Sequence, residues 1–211
     1  VKALPESVTN DPGLAYDRFV WRARSGLRDS ARQLLLSQSK DAETLGNPQA
    51  WSNRRRSLAR EEMRDGNPAL AYQMAARHHL DSGSAFADLE WLAGYIALRR
   101  LNDPTTALKH FERFEGAIAS PISKGRAGYW RGRALEAMGD ADGADAAYAS
   151  GALFQTSFYG LLAAERANLP FDTALGGTEV FPDWRTSATA THPLFEAGQL
   201  LQASGELDVA E

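Results

Sequence analysis

Cysteine is absent from the 211 residues. Disulfides, thiolate zinc sites and cysteine nucleophiles are thereby excluded, and the redox compartment stays open. No apolar run approaches the roughly 20 residues that a membrane-spanning helix needs. Neither sign of charge dominates: 23 basic and 27 acidic residues give a formal charge of −4. A field that weak attracts neither nucleic acid nor anionic lipid. Catalytic signatures are missing as well, with no glycine-rich phosphate loop, no G-x-S-x-G and no H-E-x-x-H. The opening VKALPE is not a signal peptide. Without an initiator methionine, it reads as a start from which the natural beginning has been removed.

Metal and acid–base chemistry find little support. His78 and His79 are adjacent, so they point to different helix faces and make no i, i+4 ligand pair. His110 reads as solvated beside Lys109 and Glu112, and His192 sits before Pro193. The run Asp140-Ala-Asp142-Gly143-Ala-Asp145 has its glycine too early for a calcium loop, and an acidic helix start explains it better. Glu61, Glu62, Glu90, Glu112 and Glu136 lie in charged helical patterns and read as surface charges. The Arg54-Arg55-Arg56 run reads as a solvated face, because Glu61 and Glu62 follow within two turns. A catalytic acid requires burial. No catalytic, cofactor-binding or metal-ligating residue is assigned.

What the chain does have is helical period. Phe86, Leu89, Leu92 and Ile96 recur at steps of three and four, and so do Ala107, Phe111, Phe114 and Ile118. Between them, Asp103 is placed to cap a helix that Pro104 opens. A break that short permits only an antiparallel hairpin. The pattern then repeats. Tyr129, Gly132, Gly139-Asp140, Ala144 and Tyr148 follow Trp91, Gly94, Asn102-Asp103, Ala107 and Phe111, offset by 38 residues at the first glycines and 37 at the alanines. Asn67-Pro68, Ala71 and Ala75 precede the same pattern by 36. A helix–turn–helix period in the mid-thirties predicts an all-α fold, an α-solenoid of tetratricopeptide-like hairpins. Glycine within a helix costs roughly 1 kcal/mol against alanine, so Gly94 and Gly132 are assigned to close helix approach. Trp91, Tyr129 and Trp130 complete the repeat-packing set.

In chain order, the spacing predicts an extended arm over 1–13, helices over 14–24 and from Ser30, and a loop over 40–47. Helices follow over 49–64 and 69–80. The hairpin over 86–118 comes next, separated by Pro121–Gly125 from another over 126–150. A helix over 155–168 completes the series. From Leu169, Pro170, Gly176, Gly177 and Pro182 interrupt about 24 residues, a long structureless run for a compact unit. The expected division is therefore 1–168, an irregular linker over 169–191, and a helical segment over 192–211. There, Leu207–Glu211 reads as an interrupted partner helix and the chain as a fragment. Among the aromatics, which include five tryptophans and six tyrosines, most read as core, with a minority able to stack on sugars or peptides.

Three passages bring a family into view. They are Ala87–Gly94 followed by Ala107–Phe111, then Ser123–Ala134 (SKGRAGYWRGRA), and Ser157–Ala164 (SFYGLLAA). Together they resemble the superhelical, U-shaped region of soluble lytic transglycosylases. The resemblance covers about residues 14–168 and extends more weakly into the linker domain that follows in that family. It implies a periplasmic setting and a scaffold that contacts peptidoglycan glycan strands. It also implies a parent enzyme that cleaves the MurNAc–GlcNAc bond to give 1,6-anhydro-muramyl products. The family's catalytic glutamate stands in a Glu-Ser pair on a helix of a separate domain. Here the Glu-Ser pair is Glu6-Ser7, in the proline-flanked arm and without the family's Gly-Leu-Met-Gln stretch, so no catalytic residue carries over. Phe158, Tyr159 and Gly160 carry over as a packing signature, with Phe158 and Leu161 or Leu162 expected to face inward. A tetratricopeptide-like adaptor for a protein or peptide partner is the second reading. A self-contained hydrolase is the third, and it requires a buried carboxylate.

Overall fold

The structure, a computed structural model, describes residue 5, residue 8, residues 10–206 and residue 208. The Glu6-Ser7 pair and the end of the expected helix at 207–211 lie outside them, apart from Asp208. Among the described residues the fold is all-helical, without strands. The helices are α1 (Pro12–Arg24), α2 (Arg28–Gln38), α3 (Ala42–Leu45), α4 (Pro48–Arg64), α5 (Pro68–Ala76) and α6 (Gly83–Arg100). They continue with α7 (Pro104–Gly116), α8 (Pro121–Met138), α9 (Ala141–Ala152), α10 (Phe158–Arg166) and α11 (Pro193–Ser204). Among the described residues no helix is long and apolar enough to cross a membrane.

The turns follow one recipe. A residue with positive φ ends one helix and a polar residue begins the next. Gly66 (φ 88°), Asn102 (φ 54°) and Gly139 (φ 81°) occupy the first position. Asn67, Asp103 and Asp140 occupy the second, and the Asp103 carboxylate accepts from the Thr106 amide at 3.0 Å as Asp140 does from Gly143. Consecutive helices then pack along each other: α4 on α5, α6 on α7, α8 on α9. Next-but-one contacts also occur, α4 on α6 and α8 on α10.

Several elements differ from expectation for local reasons. Residues 40–47 contain the short helix α3, because Asp41 accepts from both the amide and the hydroxyl of Thr44 and Leu45 is buried. Helix α5 stops at Ala76 rather than Leu80, and His79 just beyond it takes φ 53°. Residues 121–125, expected as a separator, form the first turns of α8. Ser120 caps it and Pro121 supplies the pre-set φ of a helix start.

The chain divides into two compact units, one through Phe171 and one from Asp172. In the first, Phe19 stacks on Trp51 with ring centroids 4.7 Å apart, and both are fully buried beside Leu35, Met74 and Ile96. A second cluster gathers Phe111, Tyr129, Trp130 and Tyr148. Each such side chain contributes about 1.5–3 kcal/mol on burial. The second unit holds three 3-10 turns and α11, where Trp184 meets Phe195 edge-on at 5.4 Å.

Arg55 is no part of a solvated face. It is fully buried, donating to the Met74 carbonyl at 2.9 Å and the Ser39 hydroxyl at 2.6 Å, and burial lowers its pKa to about 10. The three-residue run wraps helix α4, so its middle member turns inward. Glu62 is buried too, ion-paired with Arg32 at 2.5 Å and accepting from Asn67 at 2.9 Å. Arg55→Leu takes the donor from the buried Met74 carbonyl, a cost of about 1–3 kcal/mol, and one of two bonds from the Ser39 hydroxyl, which still donates to the Leu35 carbonyl. Urea unfolding is expected to show a loss of about 2–4 kcal/mol; an unchanged midpoint would contradict the assigned role.

Candidate functional site

Two constellations stand out in the first unit. The deeper one centres on Glu90. Its surface reading is overturned, because the residue is only 3% exposed. On its own helix Phe86, Ala87, Ala93 and Gly94 flank it at steps of three and four. That apolar surround carries it inside, and polar partners meet it there. His78 Nε2 lies 2.9 Å from Oε1; His110 Nδ1 lies 2.6 Å and Arg113 Nε 2.8 Å from Oε2. The Leu80 amide donates to His78 Nδ1 at 3.0 Å, which leaves the ring proton on Nε2 to donate to Glu90. His110 is likewise buried rather than solvated. Its Nδ1–H donates to Glu90, and its Nε2 accepts from the Tyr72 hydroxyl at 2.9 Å. Arg113 Nη2 also comes within 2.7 Å of Nδ1. The Nδ1–H points at Glu90, so this second contact sets two donors side by side and is not a hydrogen bond.

Burial alone would raise the Glu90 pKa. The donated hydrogen bonds from His110, His78 and Arg113 outweigh it and lower the pKa to about 2. A carboxylate held ionised in this way is a poor general acid. The network ties α5, the break after it, α6 and α7 together.

The second constellation is aromatic and runs across α6, α8 and α10. Trp91 stacks on Tyr95 at 5.4 Å; Trp130 meets Tyr95 edge-on at 5.2 Å and Trp91 at 6.1 Å. Tyr159 stands 5.5 Å from Tyr129 and 6.1 Å from Trp130. Arg126 reaches two of these rings, its guanidinium carbon 5.3 Å from the Trp91 centroid and 5.6 Å from that of Tyr159. Trp91, Tyr95, Arg126 and Tyr159 are all partly exposed. The indole nitrogens of Trp91 and Trp130 and Nε of Arg126 are buried without a hydrogen-bond partner among the described residues.

The glycines explain how α6, α8 and α10 are positioned. A Cβ on Gly94 would lie 2.6 Å from the Phe111 ring, and one on Gly132 would overlap the Tyr148 ring. The same crossing is thus built twice, by residues at matching repeat positions. Gly160 is more constrained, since its Cβ would run into the backbone carbonyl of Phe154. Ser157 fixes that corner by donating to the same carbonyl at 2.8 Å and accepting from the Gly160 amide at 3.1 Å.

Tyr159 and Gly160 therefore pack, but Phe158 does not face inward. It is 69% exposed, and Leu161 is 44% exposed. Phe158 is the first residue of α10, where Ser157 caps the helix, and that position turns its ring outward. Leu162, Ala163 and Ala164 meet the core instead.

Sequence reasoning missed Arg60, Arg126, Tyr72 and the role of Glu90. For Glu90 the signal was its apolar flanks at helical spacing. For Arg60 it was a like-charge series at i, i+4, namely Arg56, Arg60 and Arg64. Among the described residues, no group of histidines and acids could hold a metal ion. Comparison with protein-family models, with curated proteins and with solved structures gives no match.

Proposed function

We propose that this chain is the non-catalytic superhelical region of a peptidoglycan lytic transglycosylase. In this reading the hairpins stack as a tetratricopeptide-like solenoid in the periplasm. They brace the parent enzyme's catalytic domain and contact glycan strands weakly. The observation that carries it is the twice-built glycine–aromatic crossing, Gly94 on Phe111 and Gly132 on Tyr148, at the spacing of the repeat. Contacts between next-but-one helices agree with stacking, and so does the Gly160 corner within the passage that resembles the family. Trp91, Tyr95 and Tyr159 leave part of their apolar ring surface exposed beside Arg126, as a surface that contacts glycan requires. Glu90, the buried carboxylate that a self-contained hydrolase would need, is held ionised by its donors and is unsuited to protonating a glycosidic oxygen.

The adaptor reading draws on a different feature of the same surface, the excess of arginine near Arg60. Co-sedimentation with purified sacculi separates the two. The chain is expected to pellet with them and to leave no clearing on a peptidoglycan zymogram. Glycan lysis by this chain, or failure to pellet, would overturn the assignment.

A further inference from the structure

The aromatic face is also a cationic one. Arg56 and Arg60 stand one turn apart on α4, and Arg126 lies over Trp91 and Tyr159. Arg56 is engaged by Asp88 of α6. Arg60 and Arg126 hold no hydrogen bond or ion pair among the described residues. Arg56, Arg64 and Arg126 act on Arg60 with its own sign, and Asp88 opposes them. Burial, with this repulsion behind it, disfavours the charged form of Arg60. Asp88 is one carboxylate among four guanidinium groups, and cations that outnumber their counter-charges in this way favour an added anion. Trp91 and Tyr159 hold Arg126 through their ring faces; Nε is buried, and the two Nη groups remain to meet a bidentate acceptor.

Every member of this face comes from α4, α6, α8 or α10, so the surface spans several helices rather than one socket. A single small anion would use one arginine. An extended chain carrying repeated carboxylates and apolar stretches would use the arginines and the rings together.

We infer that this face binds peptidoglycan through the carboxylates of its stem peptides, with Arg60 and Arg126 as the recognising side chains. This rests on the peptidoglycan reading above and names what that surface recognises. Charge complementarity favours carboxylates over neutral sugar hydroxyls, and the fork of arginine suits a planar acceptor.

The experiment measures binding of the full chain to intact sacculi, to glycan strands stripped of stem peptides by an amidase with the lactyl carboxylates this exposes then capped as methylamides, and to poly-L-glutamate. It compares wild type, Arg60→Gln, the Arg60→Gln/Arg126→Gln pair, and Arg99→Gln at the exposed end of α6. Circular dichroism checks the fold. Arg60→Gln alone keeps the test decisive should the pair unfold, because Arg60 makes no hydrogen bond. Wild type is expected to bind intact sacculi about tenfold more tightly than stripped strands, as loss of one charge-assisted contact predicts. Arg60→Gln should lose a similar factor on intact sacculi and nothing on stripped strands, with Arg99→Gln unchanged. Equal binding to intact and stripped strands would overturn the stem-peptide inference and leave the glycan reading standing. Binding to poly-L-glutamate but not to sacculi would overturn both, in favour of an acidic protein partner.

Discussion

Glu90→Ala is expected to destabilise the first unit by about 3–5 kcal/mol, the cost of removing one partner from a buried charged network. The carboxylate joins three donors, and two of them, His78 and His110, are as buried as it is. Truncation leaves both imidazole N–H groups without an acceptor. Arg113 is half exposed and recovers water. Glu90→Gln keeps the shape but sets an amide N–H against a donor, whichever way the amide turns.

The same network gives the stability a pH dependence of known sign. The Glu90 pKa is lowered in the fold from 4.5 to about 2. The unfolded chain therefore binds the proton first as pH falls. The stabilisation is full above the unfolded value and is lost progressively between about pH 4.5 and pH 2. A shift of that size corresponds to about 3 kcal/mol. Chemical denaturation at pH 7, 4.5 and 3 should show wild type losing stability across this window and Glu90→Gln losing less. Parallel pH curves for the two proteins would refute the assignment.

Gly160→Ala is the second large effect. Alanine in a helix ordinarily gains about 1 kcal/mol over glycine. Here the new methyl meets the Phe154 backbone carbonyl, which cannot swing aside, and which Ser157 already engages through its amide and hydroxyl. The expected loss is about 3 kcal/mol, the upper range of overpacking. Gly132→Ala should lose about 1–3 kcal/mol, because Tyr148 is held at its hydroxyl by Glu136 at 2.9 Å and its ring cannot easily yield. Gly116, in the last turn of α7, has open space around a would-be Cβ. Its alanine variant should be neutral or gain up to about 1 kcal/mol. Thermal melts of the three variants should rank in that order, and a Gly160→Ala protein as stable as Gly116→Ala would remove the close approach from the account.

Local chemistry made most helices readable. Asp103-Pro104 and Gly66-Asn67-Pro68 mark a helix end and start wherever they occur, because φ, the missing proline N–H and side-chain capping act within a few residues. The repeat of Gly94 and Phe111 at Gly132 and Tyr148 was readable for a similar reason, since close packing needs the same small and large residues each time. Errors clustered where a neighbour outside the window decided. Arg55, Glu62, Glu90 and His110 looked like solvated charges, yet each is buried against a partner at least five residues away.

The sequence alone thus determined most of the helices, the turns at Gly66, Asn102 and Gly139, and the positions where side chains had to be absent. Those follow from backbone geometry and from periodicities internal to each segment. Only the tertiary structure decided which charges are buried, that Phe158 turns outward, and that Arg126 meets Trp91 and Tyr159. A charge's environment depends on what the neighbouring helices bring to it, and no local pattern carries that information.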